Sequence, residues 1–146
     1  MGRILAIDYG RRRSGIAATD PLRIVASGVA TVPSASLIDF IRKYRAQNGI
    51  DFIVVGEPRD MRGNPSESTR YLRPAMAALR KAFPDLEIVS FDERFTSVLA
   101  HRAMLDGGLP KMARRDKALV DEMSATIILN DFLASRQYQD LLNNQQ

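Results

Sequence analysis

The sequence predicts an α/β fold, a mixed β-sheet with helices packed against it. Three observations carry this expectation. Ile4 to Ile7 and Phe52 to Val55 are continuous apolar runs rather than alternating ones, as in strands buried on both faces. Three strand-like segments follow one another at the start with short links between them. After that, helical patterns alternate with single strand patterns. The 146 residues, 45% hydrophobic and 26% charged, suit one domain with a proper core.

Taken in order, residues 3–8 read as the first strand. "SGIAATD" (14–20) and "IVASGVATV" (24–32) read as the second and third, with Asp20-Pro21 as a turn. Links this short make the three an antiparallel meander. "SASLIDFIRKYRAQNG" sets Leu37, Phe40, Ile41 and Tyr44 at helical spacing, with Ser34 or Ser36 as cap and Gly49 as stop. "DFIVVGEP" is a short buried strand ending at Gly56, and "MRGNPSEST" a loop. Residues 66–83 form a helix through Tyr71, Leu72, Met76, Leu79 and Phe83, closed by Pro84. "EIVSFDER" is the last strand, "TSVLAHRAML" a helix, "GGLPKMARRDK" a basic loop and "ALVDEMSATIILNDFLASRQ" a long apolar helix. The domain is expected to span 1–136, with 137–146 a flexible, frayed tail.

Net charge is +4, so an anionic partner is worth considering. The chain has no cysteine, which excludes disulfides, thiolate metal sites and a cysteine nucleophile, and fits a cytoplasmic protein. The first residues lack the pattern of a signal peptide, and no apolar run approaches ~18 residues, so no membrane partner is expected.

Acids stand at strand ends. Asp8 closes the first strand; Asp92 and Glu93 close the last. Strand side chains alternate between faces, so only one of Asp92 and Glu93 can easily join Asp8. On the final helix, Asp121 shares a stripe with Ala125, Ile128 and Phe132, while Glu122 sits near Leu129 and Leu133. That helix is apolar nearly all round, and spacing does not choose between its two acids. Carboxylates that converge repel one another unless a counter-charge intervenes. Mg2+ or Mn2+ supplies one, since hard ions take oxygen ligands. Two such ions ~3.5–4 Å apart stabilise the attacking and leaving oxygens of a phosphodiester displacement. The plainer alternative makes these acids turn formers or partners of nearby arginines, and on spacing alone both readings stand.

"ILAIDYGRRRSGIAATD", "IVVGEP", "DERFTS" and "VDEMSATIILNDFL", in this order and spacing, resemble the YqgF family over residues 3–134. Its members are described as candidate pre-16S ribosomal RNA nucleases and as Holliday-junction-resolvase-like proteins. The resemblance implies a ribonuclease H-like fold with a five-stranded mixed sheet, its first three strands antiparallel. It implies Asp8, Glu93 and Asp121 as catalytic and metal-binding acids, with Asp92 a further candidate of undefined role. It also implies two Mg2+ or Mn2+ ions and hydrolysis leaving a 5′-phosphate and a 3′-hydroxyl. The expected substrate is pre-rRNA, cut during 5′-end processing of 16S rRNA, with branched DNA, a four-way junction, as the alternative. Arg11, Arg12, Arg13, Arg94, Lys111, Arg114 and Arg115 would contact phosphates, the alternative being a solvated hairpin turn at Arg11–Arg13 and a solvated loop in "KMARRDK". A monomer or a homodimer is expected, since junction cutting requires the latter.

One departure stands out. Where the family more commonly has Gly-Leu-Pro, this chain has Gly56-Glu57-Pro58, and Glu57 reads as a surface charge pairing with Arg59 or Arg62, the alternative being a further acid at a strand end. His101 reads as structural or exposed rather than as a general base, and Ser66, Ser68 and Thr69 as helix-capping residues. Aromatic residues are only 7% and fall at core spacing, so no base-stacking platform is expected. Two other function classes compete. An actin-like nucleotide-binding protein also opens on strand, Asp-x-Gly and hairpin, but needs a second domain. A non-catalytic RNA-binding or assembly factor would have no need of the three acids.

Overall fold

A computed structural model describes residues 2–57, 68–93 and 117–144. Within them the chain forms β1 (Arg3–Tyr9), β2 (Arg13–Thr19) and β3 (Ala26–Pro33), then a 3-10 turn (Ser34–Ser36) and α1 (Leu37–Gln47). β4 (Ile50–Glu57), α2 (Ser68–Ala82), β5 (Glu87–Asp92), α3 (Lys117–Leu133) and α4 (Arg136–Asn143) follow. The sheet order is β3-β2-β1-β4-β5. β2 runs antiparallel to both β1 and β3, whereas β4 runs parallel to β1 and β5. This is the mixed five-stranded sheet with an antiparallel meander that the resemblance implied. The carboxyl ends of β1, β4 and β5 therefore meet at one end of the sheet, where β2 begins.

Each strand splits its side chains between two cores. Leu5, Ile7, Ile16, Ile53 and Val55 face Leu37 and Ile41 of α1 and Leu72, Met76 and Leu79 of α2. Ile4, Ala6, Ala17, Phe52, Val54 and Phe91 face Ala125, Ile128, Leu129 and Phe132 of α3. That double burial is why the strands read as unbroken apolar runs. Each large aliphatic side chain so removed from water contributes about 1.5–3 kcal/mol.

Three local expectations differ. Ser36 occupies the N-cap position of α1 without a side-chain cap, and the hydroxyl of Ser34 turns instead to the Gly10 carbonyl and the Ser14 hydroxyl. Tyr71, placed in the helix core by spacing, is 44% exposed, while Leu72, Met76, Leu79 and Phe83 are buried. Where fraying was expected from 137, the chain continues into α4. Ser135 caps it by accepting from Tyr138 N–H, and Tyr138 buries its ring against Phe132, centroids 5.4 Å apart. The segments "TSVLAHRAML" and "GGLPKMARR", with His101, and Ser66 lie outside the described residues. Among the described residues, no helix is long and apolar enough to cross a membrane.

Candidate functional site

The site is built at the carboxyl end of β1. Ile4 and Ala6 face α3, so alternation places Asp8 on that face too, at the point where the strand leaves the core. Its antiparallel partner is Gly15 of β2. A Cβ on Gly15 would lie 2.1 Å from the Asp121 carbonyl oxygen. Only a glycine here lets the backbone of α3 settle onto the sheet, and that seating delivers Asp121 next to the strand pair carrying Asp8. Glu122 falls one strand further out, 3.3 Å from where a Gly28 Cβ on β3 would stand. The Asp121–Glu122 peptide lies over Gly15, the partner of Asp8, with the Asp121 side chain held by Arg13 of β2 and that of Glu122 against Gly28 of β3.

A second close approach brings in Glu93. Phe91 faces α3, and Glu93, two residues on, follows it there, buried to 1% exposure. Its Oε1 lies 3.0 Å from where a Gly56 Cβ would stand, with Ile128 against the same point. Gly56 belongs to β4, the strand between β1 and β5. By omitting a side chain it lets Ile128 and the Glu93 carboxylate settle against β4. Asp92 and Glu57, one residue out of phase, are paired neighbours on the α2 face. Glu57 lines a cavity there with Leu72, Arg73, Met76, Arg80 and Ser90. It is half-buried among α2 residues, and Arg59 and Arg62, its expected partners, lie outside the described residues.

The three arginines after Gly10 part company. Arg13 turns to the α3 face, where its Nε donates to Asp121 Oδ2 at 2.5 Å. Arg11 turns to the α2 face, its guanidinium 4.9 Å from the centre of the Tyr71 ring. Arg12 is exposed, and its carbonyl accepts from Ser34 N–H at 3.0 Å. Gly10 makes the turn: a Cβ there would lie 2.3 Å from the Arg13 carbonyl oxygen. Arg94, Lys111, Arg114 and Arg115 lie outside the described residues. Backbone N–H groups, Val25 first, hold Asp20 below the ordinary carboxylate range, and Arg45 does the same for Asp85.

Among the described residues, no three carboxylate or imidazole side chains stand close enough to hold a metal ion in this arrangement. The donor chemistry nonetheless fits a hard divalent cation. All three acids offer oxygen ligands. Arg13 already supplies a positive charge to Asp121, the place a cation would take. Sequence reasoning singled out the acids but missed Gly15, Gly56 and Tyr71. The signal for the two glycines was their position, opposite Asp8 and at the end of an apolar run.

Comparison with known proteins places this architecture. The family model described as "RuvX: Holliday junction resolvase" matches residues 2–135. A protein of Phocaeicola vulgatus named "putative pre-16S rRNA nuclease" is 54% identical, the match covering 94% of this chain and 99% of that one. A protein of Flavobacterium johnsoniae with the same name is 46% identical, covering 94% of this chain and 100% of that one. Among solved structures, "T. thermophilus RuvC in complex with Holliday junction substrate" superposes with a TM-score of 0.58 at 15% identity. That match covers 92% of this chain and 96% of the other, and shows a shared fold.

Proposed function

The chain belongs to the family described as RuvX: Holliday junction resolvase, and from that membership we propose that it is a divalent-metal-dependent nuclease of structured nucleic acid. Its substrate on this reading is precursor 16S ribosomal RNA, cut during 5′-end processing in the cytoplasm, as the names of its relatives favour. The observation that supports the reading is that Asp8, Glu93 and Asp121 lie on the same side of the sheet, the α3 side, at the carboxyl end of the parallel strands. Ligands of open α/β sheets bind at this end.

Mg2+ or Mn2+, when bound, would supply charge neutralisation at the phosphodiester and an activated water, the products being a 5′-phosphate and a 3′-hydroxyl. Asp8, Glu93 and Asp121 are the residues that would hold it, and the phase of Asp92 along β5 weighs against a fourth. Asp8 is fixed by a strand buried on both faces, and Glu93 by burial against Ile128. Arg13 holds the Asp121 carboxylate in place through its Nε. Arg11 and Arg12 offer positive charge to phosphates around the cut, joined by Arg94, Lys111, Arg114 and Arg115 from the flanking segments. One cut in RNA needs only a monomer; paired cuts across a junction need a homodimer.

The test is Asp8→Asn, a near-isosteric change, assayed on precursor 16S RNA and on a four-way DNA junction with the cleavage ends mapped. Cleavage of the RNA should fall by orders of magnitude. The melting temperature without Mg2+ should hold or rise, because repulsion among the acids is relieved. A mutant that cuts at the wild-type rate removes Asp8 from the site. A wild-type protein that binds RNA yet cuts neither substrate is a binding factor rather than a nuclease.

A further inference from the structure

The pair Arg11–Tyr71 has no part in the acidic site, and neither residue is spent on the core. Tyr71 keeps 44% of its surface open although it is a large aromatic in the first turn of α2. The guanidinium of Arg11, itself exposed, lies over the ring at 4.9 Å. Arg70 and Arg73 flank the tyrosine on the helix, both exposed, and the first turn of α2 carries no acid. An open ring with a planar cation on it and a basic rim matches a strand of nucleic acid. Phosphates answer the charge, and an unpaired base answers the ring. Arg11 is three residues beyond Asp8, so their Cα atoms are at most about 11 Å apart. The arginine of the stack is thus rooted within that reach of Asp8, at the tip of the β1–β2 hairpin.

We propose that Tyr71, backed by Arg11, is a stacking subsite for one unpaired nucleobase of the strand that passes the acidic site. The proposal rests on the nuclease reading for the identity of the strand and names what that reading leaves open: the strand is single-stranded where it meets α2. A fully paired helix hides the faces of its bases and gains nothing from the ring.

The experiment measures binding without cleavage, in EDTA, to a short single-stranded RNA carrying 2-aminopurine and to a blunt RNA duplex of the same length. Tyr71→Ala should weaken binding of the single strand by about 5- to 150-fold and abolish the quenching of 2-aminopurine on binding. Duplex binding should be unchanged. So should the salt dependence of single-strand binding, since no charge is removed. Tyr71→Phe should behave as wild type, because the ring and not the hydroxyl stacks. The proposal is overturned if Tyr71→Ala binds the single strand as wild type does, if it weakens both probes equally, or if Tyr71→Phe fails like the alanine variant. Because no cleavage is read, the outcome is separate from that of the Asp8→Asn assay.

Discussion

The two faces of the sheet, compared at its carboxyl end, are one residue apart along every strand and differ in chemistry. On the α3 face stand Asp8, Gly15, Gly56 and Glu93, with Asp121 lowered onto them from the helix. On the α2 face stand Glu57 and Asp92, arginines 73 and 80 of the helix, and the Arg11–Tyr71 stack. Acids occur on both sides. The difference lies in the glycines: on the α3 face Gly15 admits the backbone of α3 and Gly56 admits the Glu93 side chain beside Ile128. On the α2 face Glu57 faces arginines instead. A period of two divides the acids "DE" of the last strand between a candidate metal site and a basic surface.

That contrast can be broken at its seams. After the loss of cleavage assigned to Asp8→Asn, the largest effect belongs to Gly15→Ala. The added Cβ meets the Asp121 backbone at 2.1 Å, which only a shift of α3 relieves. Overpacking of this kind costs about 1–3 kcal/mol, and thermal melting should show it together with loss of cleavage. Gly28→Ala, with its nearest contact at 3.3 Å on the Glu122 side chain, should cost less. If both variants melt alike, Gly15 is not what seats the helix. A smaller effect is expected from Arg13→Gln. The ion pair with Asp121 is partly exposed, its side chains 42% and 23% accessible. Its loss should lower stability by no more than about 1 kcal/mol, read by urea denaturation at low salt. A larger loss would mean that Arg13, and not the glycine, holds Asp121 in place.

Much of this was legible in the residues. Continuous apolar runs gave strands buried on both faces, and the strand ends drew attention to Asp8, Asp92 and Glu93. Their alternation correctly required that only one of the last two share a face with Asp8. How Asp121 and Glu122 meet the sheet was not legible, because a helix apolar on every side has no stripe to read. Their placement is made by a backbone contact with Gly15, which leaves no mark on helical spacing. Tyr71 misled for a related reason. It adjoins Leu72 at the edge of the apolar stripe, and its neighbour over the ring is Arg11, distant in sequence. In α4, Tyr138, Leu141 and Leu142 do follow helical spacing, but the polar residues around them masked a turn and a half that packs back on Phe132.

The central claim is that the site's acids are those on the α3 face, and Glu93→Gln measured beside Asp92→Asn tests it most directly. Mn2+ titration by calorimetry on both variants, with cleavage assayed on the same preparations, separates two residues that differ by one position along the chain. The account predicts that Glu93→Gln loses metal affinity and cleavage together. Asp92→Asn should keep the metal and change mainly stability. Equal loss of metal affinity in the two variants would contradict it, since no division of the sheet into two chemical faces could then explain the site.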